Sequence, residues 1–201
     1  MAVKAIFFDA GEVLAKETLP KIWTKLATIL GISPGDIQKE LRPVFAKIQR
    51  GDAPEFSILR FLKQKHHLSS LQLKAISGCF KTRNFVADKR VYSIAKKLKA
   101  AGYIVGLISN TEPSMAAKNK RRGDYRGFHP AILSYEVKSA KPEPEIFETA
   151  AKMAGVQPEE MVFFDDQAEY AKAAKKMGIR AFVYKNPQGL IRSLRSFGVK
   201  I

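Results

Sequence analysis

"VKAIFFDAGEVL", residues 3–14, opens the chain with a mostly apolar run that stops at Asp9. Its first six residues do not alternate between apolar and polar, which predicts a strand buried on both faces, as in a parallel sheet. Asp9 would then follow the carboxyl end of that strand. Open parallel sheets bind their ligands at this edge, so the stretch predicts both a fold class and a place for a site.

Short apolar runs of the same kind recur along the second half of the chain and alternate there with helical patterns. This alternation predicts an α/β fold with a parallel sheet. Right-handed crossovers would bring Ser109, Asp165 and Asp166 to the same edge as Asp9. The predicted strands are residues 103–108, 131–133, 161–164 and 181–184, and the clearest helices are residues 145–154 and 168–177.

Residues 15–87 differ from the remainder of the chain because they lack strand-like runs and suggest one helix after another. Prolines open several of these helices and glycines end them, as helix termini favour. We therefore expect a small helical insertion between the first strand and a helix over residues 88–101. The predicted helices within it are residues 20–30, 34–50, 54–66 and 69–80.

Length and composition favour one globular domain with an insertion, because the chain has 201 residues, 46% of them hydrophobic. The apolar runs are too short to span a bilayer, and Cys79 is the single cysteine, so we expect a cytoplasmic protein without a membrane partner. The net charge of +16 attracts anions of any kind. It fits phosphorylated metabolites and nucleic acid equally well.

The polar residues after the strands are candidates for phosphoryl-transfer chemistry. Asp9 could attack a phosphoryl group as a nucleophile, although an aspartate in this position could equally cap a loop. Ser109 and Asn110 could bond phosphoryl oxygens, and Lys141 could offset negative charge between nucleophile and phosphate. Asp165 and Asp166 repel each other unless a cation or hydrogen bonds stabilise them, and Mg²⁺ favours such carboxylates.

The order of these segments resembles the haloacid dehalogenase superfamily of hydrolases. Four segments carry the resemblance: FFDAGEVL, LISNT, KSAKPEPEIF and VFFDDQAEYAKAAKKMG. The resemblance implies a Rossmann-like core, residues 1–14 and 88–201, with a helical cap, residues 15–87, inserted after the first strand. Within the superfamily the chain is most similar to small bacterial sugar-phosphate phosphatases, which implies a small phosphorylated metabolite as substrate.

The same resemblance implies a role for each matched residue. Asp9 would be the nucleophile, and Ser109, Asn110 and Lys141 would bind the phosphoryl group. Mg²⁺ would be the cofactor, and its ligands would be Asp9, the carbonyl of Gly11, Asp166 and, directly or through water, Asp165.

Three positions depart from the family pattern. Gly11 stands where an aspartate usually acts as general acid and base. Losing such a group typically lowers the rate by about 10²–10⁴-fold. Glu12 could replace that group or be an incidental loop carboxylate. Tyr170 stands where an Asp or Asn often follows the acidic pair. These departures leave open a degenerate scaffold that binds an anionic partner; a 2-haloacid dehalogenase is a further alternative, although dehalogenases usually lack the paired acids.

Two further groups of residues allow two interpretations each. A basic run could contact nucleic acid or a second anionic group, or it could be a solvated helix end, which we favour because no nucleic-acid module accompanies it. The aromatic residues of the insertion are expected to form its core, with one or two facing the site. The basic run comprises Lys118, Lys120, Arg121, Arg122 and Arg126, and the aromatic residues are Trp23, Phe45, Phe56, Phe61 and Phe80.

Overall fold

The computed structural model describes residues 1–17, 19–82 and 84–201, and its centre is a five-stranded sheet. All neighbouring strands in this sheet are parallel. The α/β fold class and the parallel sheet predicted from the sequence are thus confirmed. The strands of this sheet are β1 (Ala5–Phe8), β4 (Ile104–Ser109), β5 (Ala131–Leu133), β6 (Met161–Asp165) and β7 (Arg180–Val183).

Strand β1 lies in the middle of the sheet, whose strand order is β5-β4-β1-β6-β7. Phe8 is in register with Leu107 of β4 on one side and with Phe164 of β6 on the other. The three central strands therefore end at the same level. Because the strands are parallel, their carboxyl ends form one edge of the sheet.

Both faces of the sheet are covered, which explains why β1 is apolar without alternation. Ile6 and Phe8 belong to one hydrophobic cluster, and Ala5 and Phe7 belong to another on the opposite face. Phe8 also stacks on Phe164, with 5.9 Å between ring centroids. The helices in this part of the chain are α5 (Lys89–Ala100), α6 (Pro113–Arg122), α7 (Ser134–Val137), α8 (Pro144–Ala154), α9 (Ala168–Lys176) and α10 (Pro187–Arg195).

Four helices between β1 and α5 have a hydrophobic cluster of their own. The Ser33 hydroxyl accepts from the backbone N–H of Asp36 at one helix start, and Ser69 forms a capping box with Gln72 at another. Trp23, Phe45, Phe61 and Phe80 all belong to this cluster or pack against it, whereas Phe56 is exposed. The helices are α1 (Leu19–Leu30), α2 (Pro34–Gln49), α3 (Ser57–His66) and α4 (Ser70–Lys81).

Two short strands flank these helices, contrary to our expectation that residues 15–87 lack strands. β2 (Ala15–Glu17) and β3 (Phe85–Ala87) pair in antiparallel fashion. The pairing brings the two ends of the helical segment together beside the main sheet. These two strands could not be predicted from the sequence because three residues are too few to show periodicity and Lys16 and Glu17 leave β2 without an apolar run. Pairing with each other stabilises the two strands here.

No helix in the described ranges is both long and apolar enough to cross a membrane.

Gly106, in the middle of β4, marks a close approach between β4 and its two neighbours in the sheet. A Cβ at this position would lie 2.7 Å from the Pro130 carbonyl oxygen and 2.7 Å from Cδ1 of Phe7. Neither the buried ring nor the backbone oxygen can move away easily.

We expect Gly106→Ala to lower the free energy of unfolding by about 1–3 kcal/mol, measured by urea denaturation, because it overpacks the core. Gly78→Ala in α4 is the control, since a Cβ there meets nothing within 4 Å. This second change should leave stability unchanged or raise it by up to about 1 kcal/mol, as expected for alanine in a helix. Equal effects of the two variants would contradict this account of the β4 packing.

Candidate active site

The polar residues predicted from the sequence meet at the carboxyl edge of the sheet. Asp9 follows β1, Ser109 ends β4 and Asp165 ends β6. All three residues are buried. A cavity of about 300 Å³ opens there, and its polar lining includes Asp9, Ser109, Asn110, Lys141 and Asp166. We call this space the catalytic cavity. Helix α1 contributes Leu19, Pro20 and Trp23 to its opposite wall.

The Lys141 ammonium group lies at the centre of this arrangement. Lys141 Nζ donates to Asp9 Oδ1, to Asp165 Oδ2 at 2.6 Å and to the Ile108 carbonyl oxygen at 3.2 Å. Its side chain is 1% exposed, and that of Asp165 is 0% exposed. One buried cation thus links the ends of β1, β4 and β6.

Asn110 holds the backbone of Lys141 rather than directing its amide into the cavity. Asn110 Nδ2 donates to the Lys141 carbonyl oxygen at 2.8 Å, and the Lys141 N–H donates to Asn110 Oδ1 at 2.8 Å. Two hydrogen bonds to one residue fix the direction in which the lysine side chain leaves its loop. The resemblance implies a phosphate contact for the Asn110 side chain, but this geometry favours a positioning role.

Two aromatic rings complete the surroundings of the ammonium group. Lys141 Nζ lies 5.1 Å from the centroid of the Tyr170 ring and 5.4 Å from that of Phe163, within the range of cation–π attraction. Tyr170 also lines the catalytic cavity. The family departure at position 170 therefore places a ring beside the lysine, a contact that the sequence alone does not reveal.

Burial and the neighbouring carboxylates shift the proton affinities of the site. Burial raises the pKa of Asp9 to about 8, an effect that Lys141 opposes and the Asp165 carboxylate reinforces. For Lys141, burial acts to lower the pKa, but the carboxylates of Asp9 and Asp165 outweigh it and raise the pKa above its usual range. The lysine is consequently charged at neutral pH, and its charge favours ionisation of Asp9 against the effect of burial.

Asp166 differs from Asp165 because its carboxylate lines the catalytic cavity, where a ligand can reach it. Burial, assisted by the Asp165 carboxylate, raises the pKa of Asp166 to about 6. It lines the catalytic cavity together with Asp9. Asp165, in contrast, has Oδ2 bonded to Lys141 and Oδ1 accepting from the Gln167 N–H at 2.8 Å. The geometry thus favours Asp165 as a positioning residue over the ligand role that the resemblance implies.

The donor atoms in the cavity fit Mg²⁺ better than a metal that needs a full protein cage. Within the described ranges, no three Asp, Glu, His or Cys side chains form a cluster that could hold a metal. Asp9, Asp166 and the Gly11 carbonyl offer two carboxylates and one neutral oxygen, although the carbonyl already accepts from Val13 N–H at 2.6 Å. Mg²⁺ commonly uses one or two carboxylates and keeps several waters.

Glu12 lies beside the site with its backbone in the left-handed region, at φ 54°. Few residues with side chains adopt this conformation, which is why glycine and asparagine suit the position. Glu12 Oε2 accepts from Lys16 Nζ at 2.8 Å, and its side chain is 37% exposed. Glu12 lines the catalytic cavity, but its carboxylate bonds a lysine whose side chain is 75% exposed.

Two residues that the sequence did not single out support the Lys141 loop. Glu143 Oε2 accepts from the Ala140 N–H at 3.0 Å and from the Ser139 hydroxyl at 3.1 Å. Its other oxygen bonds Arg50, which follows α2. Glu143 therefore ties the loop that carries Lys141 to the helical segment. In the sequence, Glu143 is only a glutamate before a helix that begins with proline, and nothing there predicts a contact with Arg50.

The basic run splits into residues with different surroundings. Lys120 pairs with Glu136 at 2.7 Å, and Arg122 bonds Asn84 and the Phe85 carbonyl oxygen. The nearby Tyr125 and Phe128 are buried in the core. Lys120 and Arg122 are therefore engaged by other parts of the protein, whereas Lys118 and Arg121 line a cavity between α3, α4 and α6.

Fold and site together define an α/β protein with a buried aspartate, Asp9, that follows the central strand of a parallel sheet and lines a polar cavity. The family model of haloacid dehalogenase-like hydrolases matches residues 3–178, and the chain belongs to this family. Both the family assignment and the resemblance to small bacterial phosphatases inferred from the sequence are confirmed.

Three known proteins illustrate the similarity. The chain is 32% identical over 199 residues to a D-ribitol-5-phosphate phosphatase of Bacteroides thetaiotaomicron, with 92% of this chain and 93% of the relative covered. It is 35% identical to an (S)-2-haloacid dehalogenase of Burkholderia cepacia, but over 47% of this chain and 41% of the relative. A solved HAD family enzyme from B. thetaiotaomicron, in complex with magnesium and inorganic phosphate, has a TM-score of 0.71 at 26% identity, covering 92% and 95% of the two chains.

We expect Asp165→Ala to lower the free energy of unfolding by about 3 kcal/mol, because it removes a buried partner of Lys141 and leaves part of that charge uncompensated. Lys16→Gln is the matched control, since it removes the exposed partner of Glu12 and should cost less than about 1 kcal/mol. Urea denaturation of the two variants measures the difference. A cost for Asp165→Ala as small as that of the control would contradict the structural role given to this pair.

Proposed function

We infer that the protein is a magnesium-dependent phosphatase that hydrolyses a small phosphomonoester through an aspartyl-phosphate on Asp9. The observation that carries the inference is the bond from Lys141 Nζ to Asp9 Oδ1 in a buried cavity that also contains Ser109 and Asp166. A carboxylate held by one oxygen keeps its other oxygen for attack on phosphorus. The similar phosphatase and the magnesium and phosphate complex of the similar HAD family enzyme support the same assignment.

In the first step, Asp9 would attack phosphorus in line with the departing alcohol oxygen. The Ser109 hydroxyl and the Lys141 ammonium would stabilise the charge of the phosphoryl oxygens, and Asn110 would keep the lysine in position. Asp9, Asp166 and the Gly11 carbonyl would hold Mg²⁺, which supplies further positive charge for the phosphate when bound. In the second step, water would release phosphate and regenerate Asp9.

Gly11 leaves this site without the usual proton donor for the departing alcohol. Substrates whose leaving group needs little protonation would therefore react fastest. Such substrates include anomeric phosphates and acyl phosphates.

The dehalogenase alternative is the second candidate, because a relative of that activity matches almost half of the chain. The Asp166 carboxylate in the cavity argues against it, since it places a further negative charge beside a nucleophile that would need no metal. The degenerate-scaffold alternative has to explain why Asp9, Ser109, Lys141 and Asp166 line one cavity, since a scaffold that only binds an anion does not need all four together. We therefore favour the phosphatase.

The decisive experiment is phosphate release from p-nitrophenyl phosphate and a panel of sugar phosphates, with Mg²⁺ and with EDTA. We expect turnover that requires Mg²⁺, and a loss of at least about 10³-fold in Asp9→Asn, because the amide is not a nucleophile. Lys16→Gln, at an exposed residue that does not line the catalytic cavity, serves as the folded control. Turnover retained in Asp9→Asn, or absent in the wild type on every substrate, would contradict the proposal.

For Glu12 we expect Glu12→Gln to change kcat by less than about threefold and to leave the pH profile unaltered. The reason is that its carboxylate, on a side chain that is 37% exposed, accepts from Lys16 Nζ at 2.8 Å. A positioned general acid or base would be worth about 10²–10⁴-fold. A loss of tenfold or more, with one limb of the pH profile missing, would instead assign to Glu12 the role that Gly11 cannot perform.

A further inference from the structure

Three cavities line up between the helical segment and the sheet domain. Beside the catalytic cavity lies a space of about 420 Å³, here called the middle cavity, and beyond it a space of about 540 Å³, here called the distal cavity. Trp23 and Tyr170 line both the catalytic and the middle cavity. Phe45 and Glu112 line both the middle and the distal cavity.

A row of aromatic rings on the helical segment runs along all three cavities. The Trp23 and Phe45 rings meet edge to face, with centroids 5.7 Å apart, and the Phe45 and Phe80 centroids are 6.3 Å apart. Trp23 faces the catalytic cavity and Phe80 the distal cavity. The row therefore gives the cleft one continuous apolar wall from the nucleophile outward.

The distal cavity combines apolar walls with a basic border. Ile58, Leu59 and Met115 add aliphatic surface. Phe56, a residue that is 56% exposed, adds an aromatic ring. Lys81, Lys118 and Arg121 also line this cavity, and neither Lys81 nor Arg121 forms an ion pair with any side chain that the structure describes. Exposed aromatic surface beside free cations favours an amphipathic anion over a neutral sugar.

The acidic residues of the distal cavity do not cancel this preference. Glu55 Oε1 accepts from the Ser114 N–H at 2.6 Å, so its charge faces the first turn of α6. Glu112 is buried at the boundary with the middle cavity. Lys81 and Arg121 are left to meet a negative group at the outer end of the cleft.

We propose that the distal cavity binds the far end of an elongated substrate, a phosphomonoester whose alcohol carries an apolar arm that ends in an anionic group. This inference rests on the proposed function, since it places the phosphate at Asp9. The arm lies along the row Trp23, Phe45 and Phe80, and its anionic end meets Lys81 and Arg121. The protein would then discriminate substrates by length as well as by head group.

The test is a series of n-alkyl phosphates and a matching series of ω-carboxyalkyl phosphates, from two to ten carbons, assayed with Mg²⁺. Each methylene that enters the apolar cleft should raise kcat/KM by about two- to fourfold. Once the arm reaches the basic border, the carboxylate should add about three- to tenfold over the plain alkyl chain of equal length. We expect both effects in the wild type.

Two matched pairs of variants locate the effect. Phe56→Ser and Lys81→Gln should reduce the ratio of kcat/KM between the longest and the shortest substrate, by about threefold or more. Leu71→Ser, at a residue 78% exposed, and Lys74→Gln, on the same helix as Lys81, should keep the wild-type ratio, since neither residue lines the distal cavity.

The two proposals fail in different ways. A flat dependence on arm length in the wild type, with Mg²⁺-dependent turnover of the short phosphates intact, would overturn the elongated substrate and leave the phosphatase standing. A length dependence that all four variants share equally would place the arm elsewhere and also overturn the inference. Lack of turnover on every phosphate would contradict the proposed function itself, and with it this extension.

Discussion

The buried ammonium group of Lys141 is the constraint on which the arrangement of the site depends. A charge so fully removed from water is tolerated when opposite charges and hydrogen bonds surround it. Asp9, Asp165 and the Ile108 carbonyl oxygen supply them from the ends of β1, β6 and β4. Since these three strands are neighbours in register, the cation can reach all of them only at the carboxyl edge. The interaction thus connects the sheet topology to the position of Asp9.

The other contacts around the site keep this lysine in place. Asn110 bonds both polar groups of the Lys141 backbone, and Glu143 bonds the loop just before it. Because Glu143 also bonds Arg50 beyond α2, the helical segment and the lysine loop are mechanically linked. A displacement of α2 would therefore shift the loop that carries the Lys141 ammonium group. This link offers a physical route by which occupancy of the cleft could affect the chemistry at Asp9.

The sequence predicts the strand ends well because buried parallel strands have a recognisable apolar pattern. It therefore brings Asp9, Ser109 and Asp165 to one edge without further information. Lys141 follows no strand, so only the family resemblance places it there. The partners of Asn110 and Asp165 could not be predicted, since nothing local distinguishes an amide or carboxylate that faces a ligand from one that faces a lysine loop. The short strands β2 and β3 escape prediction because their stability comes from pairing across the helical segment.

The departures from the family pattern and the elongated cleft have a common consequence under the proposed function. With Gly11 in place of an acid, the chain has no positioned proton donor at that point to help the alcohol leave. Binding energy from parts of a substrate that do not react can compensate, provided that it is realised as orientation of the phosphate against Asp9. For the elongated substrate proposed above, contacts along Phe45 and Phe80, beyond the catalytic cavity, would be of this kind. Without a general acid at position 11, the rate of hydrolysis is expected to depend more strongly on the shape of the leaving group than it would with an acid there.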